Sequence, residues 1–208
     1  MMSVIMQRDR GETRPATERG ERTRRRMVRG AASLLRERGY TGTGFREVIE
    51  ATGAPRGSIY HHFPGGKAQL AREAVDYVSG LARDAIEEPL AAGDPIGALR
   101  AFVALWRADF ERSDYRAGCP IAAVAVESHD DAPELLDAAA DAFARWQTAF
   151  SGSLRKAGVP TARAERLANL VVSAVEGAIV VSRARRDPEP LVLAGRELEA
   201  VLAEALEH

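Results

Sequence analysis

The segment from Ala51 to Lys67, ATGAPRGSIYHHFPGGK, concentrates side chains that could bind a metal ion, a phosphate group or a nucleic acid. Adjacent histidines could be metal ligands, and a Gly-Gly-Lys sequence could belong to a phosphate loop. The arginine, serine and tyrosine that precede them are residue types that contact bases and phosphates in DNA. The elements that position these residues decide between the three chemistries.

The metal and phosphate-loop interpretations fit this segment poorly. His61 and His62 are neighbours on a predicted helix, so their side chains point about 100° apart and cannot readily share one ion. A phosphate loop follows a strand and has a Ser or Thr after its lysine, whereas a helix is predicted here and Ala68 follows Lys67. We therefore expect no metal and no nucleotide cofactor.

The apolar spacing around the segment predicts three short helices. A helical period runs over residues 22–38, and Gly39 would end that helix. Thr43 would cap a second helix, which Gly53 would end. A third helix would cover residues 55–62. A helix, a turn containing glycine and a second short helix form the helix-turn-helix plan.

In that plan the third helix lies in the major groove of DNA, with its first residues at base edges. Arg56 has the fork that pairs with guanine, and Gly57 would let the backbone approach the duplex. The helix N-termini at Thr43 and Lys67 would attract phosphates. The predicted DNA-binding residues are Thr43, Arg46, Arg56, Gly57, Ser58, Tyr60, His61, His62 and Lys67.

The charge of the chain is divided unevenly. Residues 1–67 carry 14 Lys and Arg against 7 Asp and Glu, and the net charge of −1 conceals the acidic remainder. A basic front favours a polyanionic partner, although a solvated basic arm is the alternative. Residues 1–21 lack periodicity and are predicted to form a flexible basic arm.

Composition bounds the location of the protein. One cysteine excludes a disulfide within the chain and fits a reducing compartment. No apolar run reaches the roughly 18 residues typical of a membrane span, and no signal peptide opens the chain. We expect a cytoplasmic protein with no membrane partner.

The rest of the chain also shows the helical period, and no strand alternation stands out. Helices are predicted at residues 67–87, 94–112, 121–128, 132–156, 161–185 and 190–207. The pattern therefore predicts an all-α protein, with a helix-turn-helix domain at residues 22–66 and a second helical domain at residues 67–208.

Two surfaces of the second domain are predicted from its apolar residues. The helix at 161–185 is apolar around nearly its whole circumference, so one face needs a partner beyond its own domain. Paired with the last helix, it predicts a four-helix dimer interface about a two-fold axis, with an intrachain core as the alternative. The predicted interface residues are Leu170, Val171, Ala174, Val175, Ala178, Leu198, Val201 and Leu202.

The aromatic residues of the second domain suit either an ordinary core or the wall of a pocket for an apolar, aromatic ligand. The candidate pocket residues are Phe102, Trp106, Phe110, Cys119, His129, Trp146, Phe150 and Glu176. A redox sensor at Cys119 would lack a second cysteine in the chain to resolve it.

The segment GYTGTGFREVIEATGAPRGSIYHHFPGGKAQL resembles the N-terminal DNA-binding segment of the TetR family of transcriptional regulators. The similarity covers about Arg22–Leu70. GAPRGSIYHHFPGGK and GCPIAAVAVES resemble the LmrA/YxaF-like branch of that family. Pro55 departs from the pattern, because many members have a serine there that caps the recognition helix.

The resemblance implies a homodimeric regulator, usually a repressor, that binds an inverted repeat in double-stranded DNA. A small-molecule effector would shift the spacing of the two recognition helices and release the DNA. No catalytic residue is implied. Two alternatives remain open, namely a helical enzyme that uses His129, Glu176 and Cys119, and an adaptor that binds only protein.

Overall fold

The computed structural model of the chain describes residues 14–127 and 132–207. Within these ranges the chain forms nine α-helices and no strand, so the prediction of an all-α protein is confirmed. The helices are α1 Arg14–Arg38, α2 Phe45–Thr52, α3 Arg56–His62, α4 Gly66–Ala91, α5 Pro95–Arg112, α6 Pro120–Glu127, α7 Pro133–Lys156, α8 Thr161–Arg185 and α9 Glu189–Glu207.

α1 is longer than the periodicity predicts. It begins at Arg14, so residues 14–21 of the predicted flexible arm are helical, and residues 1–13 lie outside the described part of the chain. Glu18, Arg19 and Glu21 are exposed. Exposed charged residues such as these add no apolar period to the sequence, which explains why the start of α1 was missed.

The start of α2 differs from the prediction. Gly44, not Thr43, is the N-cap residue, and its N–H donates to the Glu47 carboxylate at 3.1 Å. Thr43 is buried, and its hydroxyl donates to the carbonyl of Gly39 at 2.8 Å. The prediction that Thr43 caps α2 is therefore wrong, because Gly44 occupies the cap position and Thr43 precedes it.

The turn between α2 and α3 follows the helix-turn-helix plan. Gly53 has φ +63°, which favours glycine, and its N–H donates to Ile49 at the end of α2. Pro55 precedes the first helical residue, and the Ser58 hydroxyl donates to its carbonyl at 2.7 Å. Ser58 thus bonds to the start of α3 in the absence of a capping side chain.

The remaining helices form a bundle built around α4, which packs against α1, α5 and α7. α7 packs against α8, and α8 against α9. By length and composition α8 could cross a membrane. Nine of its 25 residues are buried within the bundle, so one face of α8 packs against the rest of the chain.

Candidate nucleic-acid interface

α3 presents one face to solvent and one to the core. Ile59 and Phe63 are buried, as the sequence predicts, and fix the helix against α1 and α2. Arg56, Tyr60 and His61 are exposed on the other side. A short helix held by two buried anchors therefore presents exposed polar side chains on its outer face.

Tyr60 is a large aromatic residue left 68% exposed. Its ring lies edge-on to Phe45 of α2, with centroids 5.2 Å apart. A cleft of about 520 Å³ opens beside this pair and is lined also by Arg46 and Arg56. Two guanidinium groups and a phenol around an open cleft suit a phosphate backbone.

Arg46 already has an acidic partner. Its guanidinium donates to the Glu50 carboxylate at 3.0 Å, and this hydrogen bond raises the pKa of Arg46. The pair is exposed, so it contributes little to stability and can be replaced by a contact to phosphate.

Gly57 and the two histidines differ in what they face. A side chain added at Gly57 would meet nothing within 4 Å, so this position is open to an approaching duplex. His61 is exposed, whereas His62 is half-buried. A side chain at Gly20 of α1 would come within 3.8 Å of the His62 ring, so His62 is turned toward α1.

Lys67 lies in the first turn of α4, beside the loop between α1 and α2. Its ammonium group is 4.1 Å from the centroid of the Tyr40 ring, and it donates to the Thr41 carbonyl at 3.5 Å. Lys67 thus joins α4 to this loop while it holds a positive charge at a helix N-terminus. The buried Thr43 has no comparable access to a phosphate.

The end of α1 is bonded to the second domain by contacts that the sequence did not reveal. Arg36 forms an ion pair with Asp109 of α5. The carbonyl of Arg36 accepts the N–H of Gly118 at 2.8 Å. These residues are distant in sequence and show no shared motif, so only the folded chain brings them together.

Two further bonds join the end of α1 and the loop that follows it to α8 and α6. The Glu127 carboxylate accepts the N–H of Thr41 at 2.8 Å. Arg183 donates to the carbonyl of Glu37 at 2.8 Å. The helix-turn-helix unit is therefore attached through its first helix to several helices of the second domain.

Most of the predicted pocket residues form a filled core. Phe102 packs edge-on against Trp106, Trp146 and Phe150, with centroids 5.1–6.1 Å apart. These rings and Phe110 are at most 3% exposed. Of this aromatic cluster, Trp106 also lines a cleft of about 340 Å³ that opens toward α1. The predicted pocket residue His129 lies outside the described residues.

Cys119 and Glu176 lie together inside the bundle. The thiol faces the carboxylate, and neither carboxylate oxygen accepts a well-formed hydrogen bond from the described residues. Burial raises the pKa of Glu176 to about 7. Burial, followed by the nearby carboxylate, raises the pKa of Cys119 well above its ordinary value. The thiol is therefore held in its unreactive, protonated form.

The predicted dimer residues divide into two sets. Val171, Val175, Ala178, Leu198 and Leu202 are at most 8% exposed within the single chain. Those five were wrongly placed at a surface, because they are intrachain core. Of the remaining three, Leu170 is 44% exposed, and Ala174 and Val201 are partly buried.

The exposed apolar face of α8 and α9 also contains residues that the sequence analysis did not name. Val180, Val181 and Leu193 are 60%, 47% and 48% exposed. Ser173 and Gly177 are exposed on α8 between Leu170 and Val180. Together with Leu170 they follow spacings of three and four residues, which is one face of a helix with small residues at its centre.

Comparisons with known proteins agree with this architecture. The model of the bacterial regulatory proteins of the tetR family matches residues 28–74, and that of the C-terminal domain of LmrA/YxaF-like transcriptional regulators matches residues 95–197. An HTH-type transcriptional regulator of Mycobacterium tuberculosis is 44% identical over 86% of this chain and 93% of that protein. The HTH-type transcriptional regulator LmrA of Bacillus subtilis is 32% identical over 82% of this chain and 91% of its own.

Solved structures show the same similarity. A TetR transcriptional regulator from Chloroflexus aurantiacus is 31% identical with a TM-score of 0.69, covering 89% of this chain and 96% of that one. A regulatory protein TetR from Rhodobacter sphaeroides shares the fold at 24% identity, with a TM-score of 0.75 over 86% of this chain and 97% of that one. The chain belongs to the TetR family of transcriptional regulators, with a C-terminal domain of the LmrA/YxaF type.

Proposed function

We propose that this protein is a cytoplasmic, homodimeric repressor that binds an inverted-repeat operator and leaves it when a small molecule binds. Family membership supports DNA binding and transcriptional regulation. The observation that carries the proposal is the α3 surface, where the anchors Ile59 and Phe63 are buried and Arg56 and Tyr60 are exposed.

On DNA, α3 enters the major groove with its first residue at a base edge. Arg56 is the first residue of α3 and has a guanidinium fork that suits guanine. Tyr60 and the Arg46 guanidinium lie beside the cleft between α2 and α3, where they would contact phosphate. Lys67 adds a phosphate contact at the start of α4.

Dimerisation would use the exposed face of α8 and α9. Leu170, Val181 and Leu193 are each more than two-fifths exposed in the single chain, although they are large and apolar. Burying these side chains against a second copy removes apolar surface from water. The small residues Ser173 and Gly177 would let the two copies of α8 approach closely.

Release would be a population shift. The effector must bind the arrangement that does not fit the operator more tightly than the one that does. An ion pair and hydrogen bonds join the end of α1 and the loop after it to helices α5, α6 and α8. These contacts connect the second domain directly to the DNA-binding unit. An enzyme is the weaker alternative, because the buried Cys119 thiol is kept protonated.

The experiment is a selection of genomic fragments by the full-length protein, followed by titration of the selected duplex and a scrambled duplex. We expect an inverted repeat, with half-sites about one helical turn apart or a little more, and binding that weakens steeply with salt. Equal affinity for selected and scrambled duplexes would contradict an operator-specific repressor. Absence of binding to either duplex at low salt would favour the protein-binding alternative.

A further inference from the structure

A second cleft, separate from the DNA-binding surface, opens where α1, α4 and α5 meet. Its volume is about 340 Å³. α1 contributes Arg29 and Arg36, α4 contributes Tyr77 and Leu81, and α5 contributes Trp106 among the residues that line it. The cleft thus lies between the first helix of the DNA-binding unit and the second domain.

The charge of this cleft is positive. Arg29, Arg36 and Arg112 line it together with a single acidic residue, Asp109. Asp109 is shared, because Arg36 and Arg112 both form ion pairs with it. One carboxylate cannot neutralise two guanidinium groups, and Arg29 adds a third positive charge at the same wall. An anion is therefore the ligand that the lining favours.

Two of the residues that line this cleft, Trp106 and Arg36, each carry a buried donor without an acceptor among the described residues. The indole N–H of Trp106 and the Nε–H of Arg36 are shielded from solvent, and neither has a hydrogen-bond acceptor among the described residues. Buried polar groups are normally paired, so each of these donors needs an explanation. A ligand with acceptor oxygens would supply the missing partners after a small rearrangement of the two side chains.

The walls of the cleft favour a flat, apolar body. Tyr77 is half-buried and its ring lies under the Arg29 guanidinium, 5.8 Å from the ring centroid. Trp106 is 3% exposed and Leu81 is 43% exposed. Aromatic and aliphatic walls with a few converging donors are typical of sites for small ligands.

We infer that the cleft between α1, α4 and α5 is a binding site for a planar aromatic anion, whose acidic oxygens pair with Trp106 and Arg36. Such an anion competes with Asp109 for the Arg36 guanidinium. It thereby weakens the ion pair that joins α1 to α5. The regulatory consequence, a change in DNA affinity, rests on the proposed function, whereas the binding site itself does not.

The test uses 2-naphthoate as the probe and the neutral 2-naphthamide as its matched control. The full-length protein, labelled with ¹⁵N, has two indole N–H signals, and the Trp106→Phe variant identifies which belongs to Trp106. The Trp146 indole already donates to the Ser79 carbonyl at 3.3 Å and serves as an internal reference. We expect saturable binding with Kd about 1 mM or tighter, and the larger shift at Trp106.

A pair of surface variants separates the cleft from the rest of the molecule. Leu81→Glu places a negative charge at the cleft, and Leu136→Glu makes the same change on α7 at a residue that is 42% exposed, against 43% for Leu81. We expect Leu81→Glu to weaken naphthoate binding about tenfold or more, and Leu136→Glu to leave it unchanged. The amide should bind wild type at least about tenfold more weakly than the acid.

The proposed site would be contradicted if acid and amide bind equally well or if the two variants have equal effects. It would also be contradicted if the Trp106 indole signal does not shift. DNA affinity is measured separately, with and without naphthoate, on the duplex selected by wild type. A lower affinity supports the coupling through Arg36, and an unchanged affinity at saturating naphthoate overturns it. If the protein binds no DNA, the proposed function fails, but the naphthoate results still decide the site.

Discussion

α3 and α8 both bury one face and expose another, but the exposed faces have opposite character. α3 exposes Arg56, Tyr60 and His61, which can form hydrogen bonds with water while they wait for a partner. α8 exposes Leu170, Val180 and Val181, which cannot. The difference teaches that an exposed polar face can bind reversibly at little cost, whereas an exposed apolar face favours a permanent partner.

The largest expected effect comes from comparing substitutions on the buried face of α8 and on its exposed face. Val175→Arg should destabilise the fold by roughly 3–5 kcal/mol, because Val175 is fully buried and the new charge would have no partner. Val181→Arg should leave the fold intact and convert a dimer to monomer, because Val181 is 47% exposed. Thermal unfolding and sedimentation measure the two outcomes. A wild-type protein that is already monomeric at micromolar concentration would contradict the dimer.

The buried carboxyl of Glu176 on α8 should make the stability of the fold depend on pH. Its pKa in the folded protein is about 7, against 4.5 as its ordinary value. Between these values the folded state keeps a proton that the unfolded chain has lost, so wild-type stability should fall as pH rises through this window and level off above it. Glu176→Gln should remove this slope. Between pH 4 and pH 8, the free energy of unfolding of the variant should rise relative to that of wild type by up to about 3 kcal/mol.

Denaturant unfolding of wild type and Glu176→Gln at several pH values measures that slope. Glu165→Gln is the control, because Glu165 lies on the same helix but is exposed, and it should leave the wild-type slope in place. If the free energies of unfolding of wild type and Glu176→Gln change with pH in parallel, the carboxylate of Glu176 is solvated in the folded protein.

Substitutions on the polar face of α3 should have smaller effects, and these should change the affinity for DNA but not the stability of the fold. Arg56→Ala should weaken binding to the selected operator by about 1–3 kcal/mol and relax preference at one base position in each half-site. Its unfolding free energy should stay that of wild type, since the side chain is exposed. Arg163→Ala, an exposed arginine at the start of α8, is the matched control. Equal losses on operator and scrambled duplex would make Arg56 a phosphate contact.

The smallest expected effect belongs to Tyr60→Phe. The phenol ring packs against Phe45, so the variant keeps that contact and loses only the hydroxyl. We expect a loss of about 0.5–1.5 kcal/mol on every duplex alike, with an unchanged salt dependence, because no charge is removed. Titrations at several salt concentrations distinguish this result from that of Lys67→Ala. The lysine variant should reduce the salt slope by about one unit.

Local sequence was sufficient where neighbouring residues make the structure. Gly53 ends α2 and the pair Ile59 and Phe63 anchors α3, as predicted, because turn and period are properties of adjacent residues. The prediction of the residue that caps α2 was wrong by one position. Thr43 is a good capping residue by type, but α2 starts one residue later, with Gly44 at the cap, and the Thr43 hydroxyl donates to the Gly39 carbonyl.

The sequence by itself determined the helix-turn-helix unit and the approximate positions of the helices, apart from the start of α1, because short-range periodicity and turn residues encode them. Only the tertiary structure decided which side of α8 is covered, since an all-round apolar helix has no pattern that distinguishes core from interface. It also decided that Phe102, Trp146 and Phe150 fill the core, while Trp106 reaches a cleft between the two domains. That cleft joins residues of three helices, such as Arg36, Tyr77 and Asp109, which are far apart in the chain and come together only when the helices pack.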